Sequence, residues 1–319
     1  MTRRRVIVFS LASSLLLLLV LAVAPWLLAW RPAAHEAAPT ACTGRAPAVL
    51  AGQALKVMSW NIGHLAGPTP TGERVEPEHL ERNLRAVVAT ILEQEPDILL
   101  LQAVDDGDSR TGGTDQLAAL QASLGNRYPC SSSAFYRQAR WLPYPDMFAS
   151  AGTRLAILSR YRLEHGERLQ LPLAKPSAFG EQHALQRVEL PIRRGGAITL
   201  GNLLLDDGTD EQAQRQGDQV QRWVGGWLAE GRTLLLGGDF ASWRRPPAPG
   251  HAPVAEIPDL TAPSPEDPSR VLSPGASPLR TRIIHSVDIK RLDALQPPQA
   301  SGVSPHAPLV VRLLLPAGG

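Results

Sequence analysis

The sequence predicts an α/β (α+β) protein in which helices alternate with short apolar strands and pack as layers on β-sheet. Three observations predict this. Short, mainly apolar runs recur along the chain, as at Leu55–Trp60, Asp97–Val104 and Leu234–Leu236, and read as buried strands. Stretches with an apolar period of about 3.6 residues separate them. No internal repeat or second boundary follows residue 54, so the remainder is long enough for one large domain with a real core.

At the amino terminus, Arg3, Arg4 and Arg5 precede an uncharged run from Val6 to Trp30. At about 1.5 Å per residue this run crosses a bilayer core of about 30 Å. The arginines are expected to stay in the cytoplasm, with the rest of the chain outside. Residues 1–30 are therefore expected to be a single-pass transmembrane signal anchor in the inner (cytoplasmic) membrane. The competing expectation is a cleaved signal peptide, for which Ala22-Val23-Ala24 offers a small-residue site. Pro25 directly after it, and the interface-suited Trp26 and Trp30, favour the anchor. Residues 31–54 are rich in alanine and proline without apolar periodicity and read as a linker. Arginine far outnumbers the three lysines, Lys56, Lys175 and Lys290, a composition of GC-rich bacterial genomes, hence an expected periplasmic location. Outside the cytoplasm Cys42 and Cys130 tend to pair, which would fasten the linker to the domain; two unpaired thiols is the other reading. Without paired histidines nearby they do not make a zinc site.

Within residues 55–319, Glu78–Glu95 is an amphipathic helix with Leu80, Leu84, Val87, Val88, Ile91 and Leu92 on one face and Pro96 ending it. A second helix is expected over Asp115–Leu124, stopped by Gly125, and a third from Thr209, where Gln212 completes a capping-box spacing. The third presents Val220, Trp223, Val224, Trp227 and Leu228 inward. ALQRVELPI, ITLGNLLL and the closing SPHAPLVVRLLL read as strands. In TLLLGGDFASW, Gly237 and Gly238 turn the backbone so that Asp239 emerges at a strand's carboxyl end. Residues 243–282 hold ten prolines and are expected to be a loop bordering any pocket at Asp239. The isolated His251 and His285 receive no role.

The strands LKVMSWN, PDILLLQAV, ITLGNLLL and TLLLGGDF and the closing SPHAPLVV resemble, in order and spacing, the endonuclease/exonuclease/phosphatase superfamily. Its strands end in Trp-Asn, Leu-Gln-Glu, Asn-Thr-His, Gly-Asp-Phe-Asn and Ser-Asp-His. The segment from Met147 to Pro172 looks most like the branch of neutral sphingomyelinases and related secreted phosphodiesterases. The resemblance implies a DNase I-like, four-layer α/β/β/α sandwich of two packed mixed β-sheets. It also implies a magnesium-dependent hydrolase of phosphodiesters or phosphomonoesters. Asn61 matches the family asparagine that helps bind metal. Asp239 matches the aspartate that orients or activates the attacking water, and His306 the final histidine, which stabilises phosphate or transfers a proton.

Four positions depart from the pattern. Ala103 stands at the metal-binding glutamate, Leu204 at the mid-chain histidine, Ala241 at the asparagine after Gly-Asp-Phe, and Pro305 at the aspartate before the last histidine. Magnesium takes oxygen ligands, usually one or two carboxylates with waters and phosphate, and alanine supplies none. Losing one general acid or base removes a factor of about a hundred to ten thousand. Asp105 and Asp206 lie two residues beyond Ala103 and Leu204, on the same strand faces, and would have to lean back about 6.5 Å to rebuild a metal site. Four of the 32 basic residues, Arg3, Arg4, Arg5 and Arg31, lie in or beside the anchor; the other 28 face 30 acids. Nucleic-acid binding normally shows a basic excess or stripe, so a nucleic-acid partner is not expected, although Arg244 and Arg245 could contribute to a folded patch. The expected protein is a membrane-anchored pseudoenzyme that needs no cofactor and binds a phosphorylated or lipid ligand, or a protein partner. The alternative is an active magnesium-dependent phosphoesterase acting on a phospholipid headgroup.

Overall fold

Apolar strands with both faces covered must pair and stack, and here they form two sheets packed face to face. The computed structural model describes residues 3–67, 69, 72–143, 149–174, 179–193, 195–205, 208–241, 243, 254–257, 281–297 and 302–317. One sheet runs β14 (Lys290–Leu295), β15 (Leu309–Leu314), β4 (Ala54–Asn61), β5 (Ile98–Asp105), β7 (Ala151–Ser159), β6 (Cys130–Ala139) and β2 (Thr40–Cys42). The other runs β1 (His35–Ala37), β8 (Glu164–Gln170), β9 (Ala184–Arg193), β10 (Gly195–Leu204), β11 (Thr233–Asp239), β13 (Thr281–Ser286) and β12 (Val254–Ile257), with β3 (Val49–Leu50) joined to β9. Both sheets are mixed. β4 and β5 are parallel, as are β10 and β11, so each sheet brings two neighbouring carboxyl ends to one rim.

Side-chain alternation sets the layers. Val57, Leu100, Ile157, Val188, Leu200 and Leu235 meet between the sheets. On the outer face of the first sheet, Met58, Leu99 and Leu101 receive α2 (Pro77–Gln94) and α3 (Gln116–Leu124) through Ile91 and Leu120. Across the molecule Leu203 and Leu236 receive Val220, Val224 and Trp227 of α4 (Asp210–Ala229). The result is the α/β/β/α sandwich. The helix signals act as read: Thr209 accepts from the amide of Gln212 at 3.1 Å, Asp115 accepts from Ala118 at 2.9 Å, and Gly125 caps α3.

Two expectations are corrected. Residues 31–54 are not a free linker, because β1, β2 and β3 pair with β8, β6 and β9 and so stitch the segment to both sheets. These strands are two or three residues long, too short to show periodicity, and backbone pairing rather than apolar pattern holds them. Cys42 lies opposite Cys130 in this register and the two form a disulfide, which resolves the open choice. Replacing both by serine is expected to lower stability by about 2–4 kcal/mol, because the bridge closes a long loop in the unfolded chain. Its ends are 88 residues apart. Urea unfolding of oxidised protein and variant measures the difference. The second correction concerns residues 243–282, which contain β12, paired antiparallel with β13. Arg244, Arg245 and His251 lie outside the described residues. His285 is buried on β13, its Nδ1 donating to the Ser286 carbonyl at 2.9 Å.

Ahead of the sandwich, α1 (Arg3–Leu27) is long and apolar enough to cross a membrane, and the side chains of Leu15, Leu18 and Leu19 are exposed. At the carboxyl end of this run, Trp26 meets the edge of Phe179 at 4.9 Å, and the Arg168 guanidinium lies 5.0 Å over Trp30.

Candidate functional site

The carboxyl ends of β4, β5, β10 and β11 open into a cavity of about 300 Å³. Asn61, Ala103, Leu204, Asp239, Pro305 and His306 all line it, so residues far apart in sequence meet as the motif order required. Gly238 makes Asp239's placement possible: its φ is 156°, and a Cβ there would lie 2.1 Å from the Leu203 carbonyl oxygen. Asp239 is buried and pairs in register with Leu204. Its Oδ2 accepts from Asn61 Nδ2 at 3.0 Å and lies 3.4 Å from His306 Nδ1, while Oδ1 accepts from the Ala241 amide at 3.0 Å. Asn61 Oδ1 in turn accepts from the Gly63 amide at 3.0 Å. Asn61, Asp239 and His306 are thus bound to one another.

β5 is bulged at the family's glutamate position. Its register with β7 shifts between Leu101 and Val104, and Ala103 sits at φ 54°, in the left-handed region. The bulge breaks the two-residue alternation, so Asp105 does not lean back toward a metal beside Ala103. It is fully buried and accepts from His64 Nδ1 at 2.7 Å, Thr153 Oγ1 at 3.1 Å and Thr111 Oγ1 at 3.0 Å. Asp206 lies outside the described residues.

Two histidines that sequence reasoning passed over also line the cavity. His64 belongs to a short turn, Gly63–Leu65, whose three φ angles are 56°, 61° and 55°. Left-handed backbone costs about 1–2 kcal/mol per residue that carries a Cβ. His183 lies just before β9, stacked on Tyr136 with ring centroids 5.8 Å apart. Its Nδ1 meets the Leu204 carbonyl at 3.0 Å and its Nε2 meets Glu181 at 2.9 Å. An imidazole from just ahead of β9 thus reaches the backbone of Leu204. Little in the local sequence marks His64 or His183: Asp105 and the Leu204 carbonyl lie 41 and 21 residues away, and Glu181, two residues before His183, is an ordinary loop acid until the fold turns it onto the ring.

Burial pushes the Glu181 carboxyl up, but the hydrogen bond and charge of His183, with His64 and Arg137 beyond, hold it below the usual carboxylate range. A carboxyl lowered on folding stabilises the fold above its unfolded pKa, and that contribution disappears as pH falls through the folded value. Glu181→Gln is therefore expected to flatten the acid limb of stability against pH, measured by thermal unfolding between about pH 3 and pH 6.

The sequence model of the Endonuclease/Exonuclease/phosphatase family matches residues 58–240. The chain belongs to this family. No curated protein matches it. Among solved structures it is similar to the endonuclease/exonuclease/phosphatase from Beutenbergia cavernae, with 19% identity and TM-score 0.57, covering 82% of this chain and 72% of that one. It is also similar to the human Nocturnin catalytic domain with bound sulfate anion, with 18% identity, TM-score 0.55, and 86% and 97% covered. The endonuclease/exonuclease/phosphatase from Bacteroides vulgatus has 14% identity, TM-score 0.55, and 82% and 99% covered. At these identities the likeness is one of fold.

A magnesium site of the kind the family resemblance implies does not fit this donor set. Ala103 offers no oxygen, both Asp239 oxygens are engaged within the protein, and the Asn61 amide is engaged at both ends. Among the described residues no group of three or more His, Cys, Asp or Glu side chains gathers as a metal-ligating set.

Proposed function

We propose that this chain is a membrane-anchored, extracytoplasmic member of the endonuclease/exonuclease/phosphatase family that has lost the family's metal-dependent hydrolysis and binds a phosphorylated or lipid-derived ligand in the strand-end cavity. The observation that carries this is Asp239. The carboxylate that the family resemblance assigns to activating water is spent on Asn61, the Ala241 amide and His306, and the neighbouring glutamate position is Ala103. Leu204 and Pro305 complete an apolar stretch of cavity wall where a phosphoester reaction needs donors or charge.

Anchoring is supported by α1 behind Arg3, Arg4 and Arg5, and by a disulfide that belongs to an oxidising compartment. For a bacterial protein this reading has the domain in the periplasm, at the face of the inner membrane. Trp26 of α1 touches Phe179, two residues before Glu181 of the cavity wall, which supports a cavity close to the membrane. A protein partner at that face is the other ligand class; the near-even charge favours neither a nuclease nor a nucleic-acid ligand.

A second reading, a magnesium-dependent phosphodiesterase or phosphatase acting on a phospholipid headgroup, is favoured by one observation: Asn61, Asp239 and His306 share a single cavity. The full chain in detergent, free of host phosphatases, is expected to hydrolyse bis(p-nitrophenyl) phosphate and short-chain phospholipids with magnesium no faster than the Asp239→Ala protein. Turnover that Asp239→Ala abolishes establishes the second reading instead.

A further inference from the structure

We propose that His64, held by Asp105, is the group through which the cavity takes a phosphoester oxyanion without a divalent metal, with His183 and Arg110 supplying positive charge. This rests on the reading that the cavity binds a phosphorylated ligand, and it names the residues that replace the metal. Neither histidine stands at a position the family motifs assign.

The turn that carries His64 is strained, and three elements clamp it. Asn83 of α2 donates to the Leu65 carbonyl at 2.8 Å. Gln116 of α3 donates to the His64 carbonyl at 2.6 Å and accepts from the Asp105 amide at 3.0 Å, so the turn and the carboxylate are fixed as one unit. Asp105 itself, fully buried, receives His64 Nδ1. Strain persists where the surroundings over-determine it, and such places are concentrated at ligand sites. With Nδ1 donating to Asp105, Nε2 is the nitrogen left for a ligand, and it donates to an oxyanion in the protonated ring, the form that pairs with the Asp105 carboxylate.

His183 supplies charge by a different route. Its two nitrogens face a carbonyl oxygen and a carboxylate, both acceptors, and an imidazole satisfies both only by donating from each nitrogen. It is then an imidazolium, buried against the Tyr136 ring. His64 and His183 line the same cavity. Arg110 lines the cavity and is anchored through Nε to Asp108 at 3.2 Å. Fixed donors and cations facing an oxyanion do part of the electrostatic work of a divalent metal without a carboxylate cage.

The test is calorimetric titration of the full chain in detergent with inorganic phosphate and with glycerol 3-phosphate, in a chelator and again with excess magnesium. Wild type is expected to bind equally in both conditions. His64→Asn, which tolerates left-handed backbone and can still reach Asp105, is expected to weaken binding at least tenfold. Asp105→Asn tests positioning: it is expected to weaken binding while shifting the His64 ring signals in the nitrogen NMR spectrum. Displacement of phosphate by vesicles of phosphatidylglycerol in phosphatidylcholine, but not by phosphatidylcholine alone, assigns the oxyanion to a lipid headgroup. Displacement by glycerol 3-phosphate and not by either vesicle assigns it to a soluble ester. Binding that needs magnesium, or that His64→Asn leaves unchanged in a folded protein, overturns the proposal but keeps a phosphate-binding cavity. Wild type that binds neither anion in either condition overturns the ligand reading beneath it.

Discussion

Asn202→Leu is expected to destabilise the fold by about 3 kcal/mol, although it swaps a buried polar side chain for an apolar one of similar size. Asn202 lies fully buried on β10 and faces the other sheet. The bulge at Ala103 interrupts the β5–β7 ladder, and Asn202 Nδ2 donates to the carbonyls of the last pair before the interruption, Leu101 on β5 at 2.9 Å and Ala156 on β7 at 3.1 Å. Its Oδ1 accepts from Gln102 Nε2 at 2.7 Å. Leucine would leave two buried carbonyls unpaired, each worth about 1–3 kcal/mol, and its burial would recover only part of that. Urea unfolding measures the loss; a value under about 1 kcal/mol would mean that water or local rearrangement satisfies the bulge. The same polar bridge holds the bulge that displaces Asp105 from the cavity wall, so the loss should also broaden the His64 ring signals.

The elements that were legible in the sequence are those whose pattern is local. α2 shows its apolar face and ends at Pro96, α4 shows Thr209 and Gln212, and β11 shows an apolar run closed by two glycines. β6, β7, β8, β13 and β14 escaped the reading. β6 alternates buried and half-exposed serines that look like a loop, and β14 is almost wholly exposed. The stitching of residues 35–50 escaped for the same reason, since edge pairing is written in backbone geometry. Asn61, Asp239 and His306, named from the motif order, line one cavity because the fold topology gathers strand ends. The bulge at Ala103 was invisible: alanine carries no signal for left-handed backbone, and only the shifted ladder reveals it. The His64–Asp105 and His183–Glu181 pairs were missed because a histidine's role depends on what folding places against each nitrogen.

Ala103→Glu is expected to be the largest functional change one substitution can make, creating magnesium and manganese binding in a cavity proposed to hold neither. Ala103 lines the cavity beside Asn61 and Asp239, so a carboxylate there enters the same space as the remaining oxygen donors. Magnesium is commonly held by one or two carboxylates with waters, which sets the expected affinity in the millimolar range. The backbone imposes no new barrier, because Ala103 already carries a Cβ at φ 54°. What opposes the metal is the existing network, in which Asp239 accepts from Asn61, the Ala241 amide and His306. A metal must therefore release His306 from Asp239, and the His306 ring signals should shift in step with metal binding. Calorimetric titration of the full chain and the variant separates the cases. Metal bound by the variant alone means the cavity keeps the shape of a metal site and lacks the charge. Metal bound by the natural chain and lost with Asp239→Ala means the internal hydrogen bonds yield to a cation, and the phosphoesterase reading then leads. Binding by neither means the Asp239 network is stronger than one added carboxylate can overcome, and a double variant with His306→Ala should then bind where the single one does not.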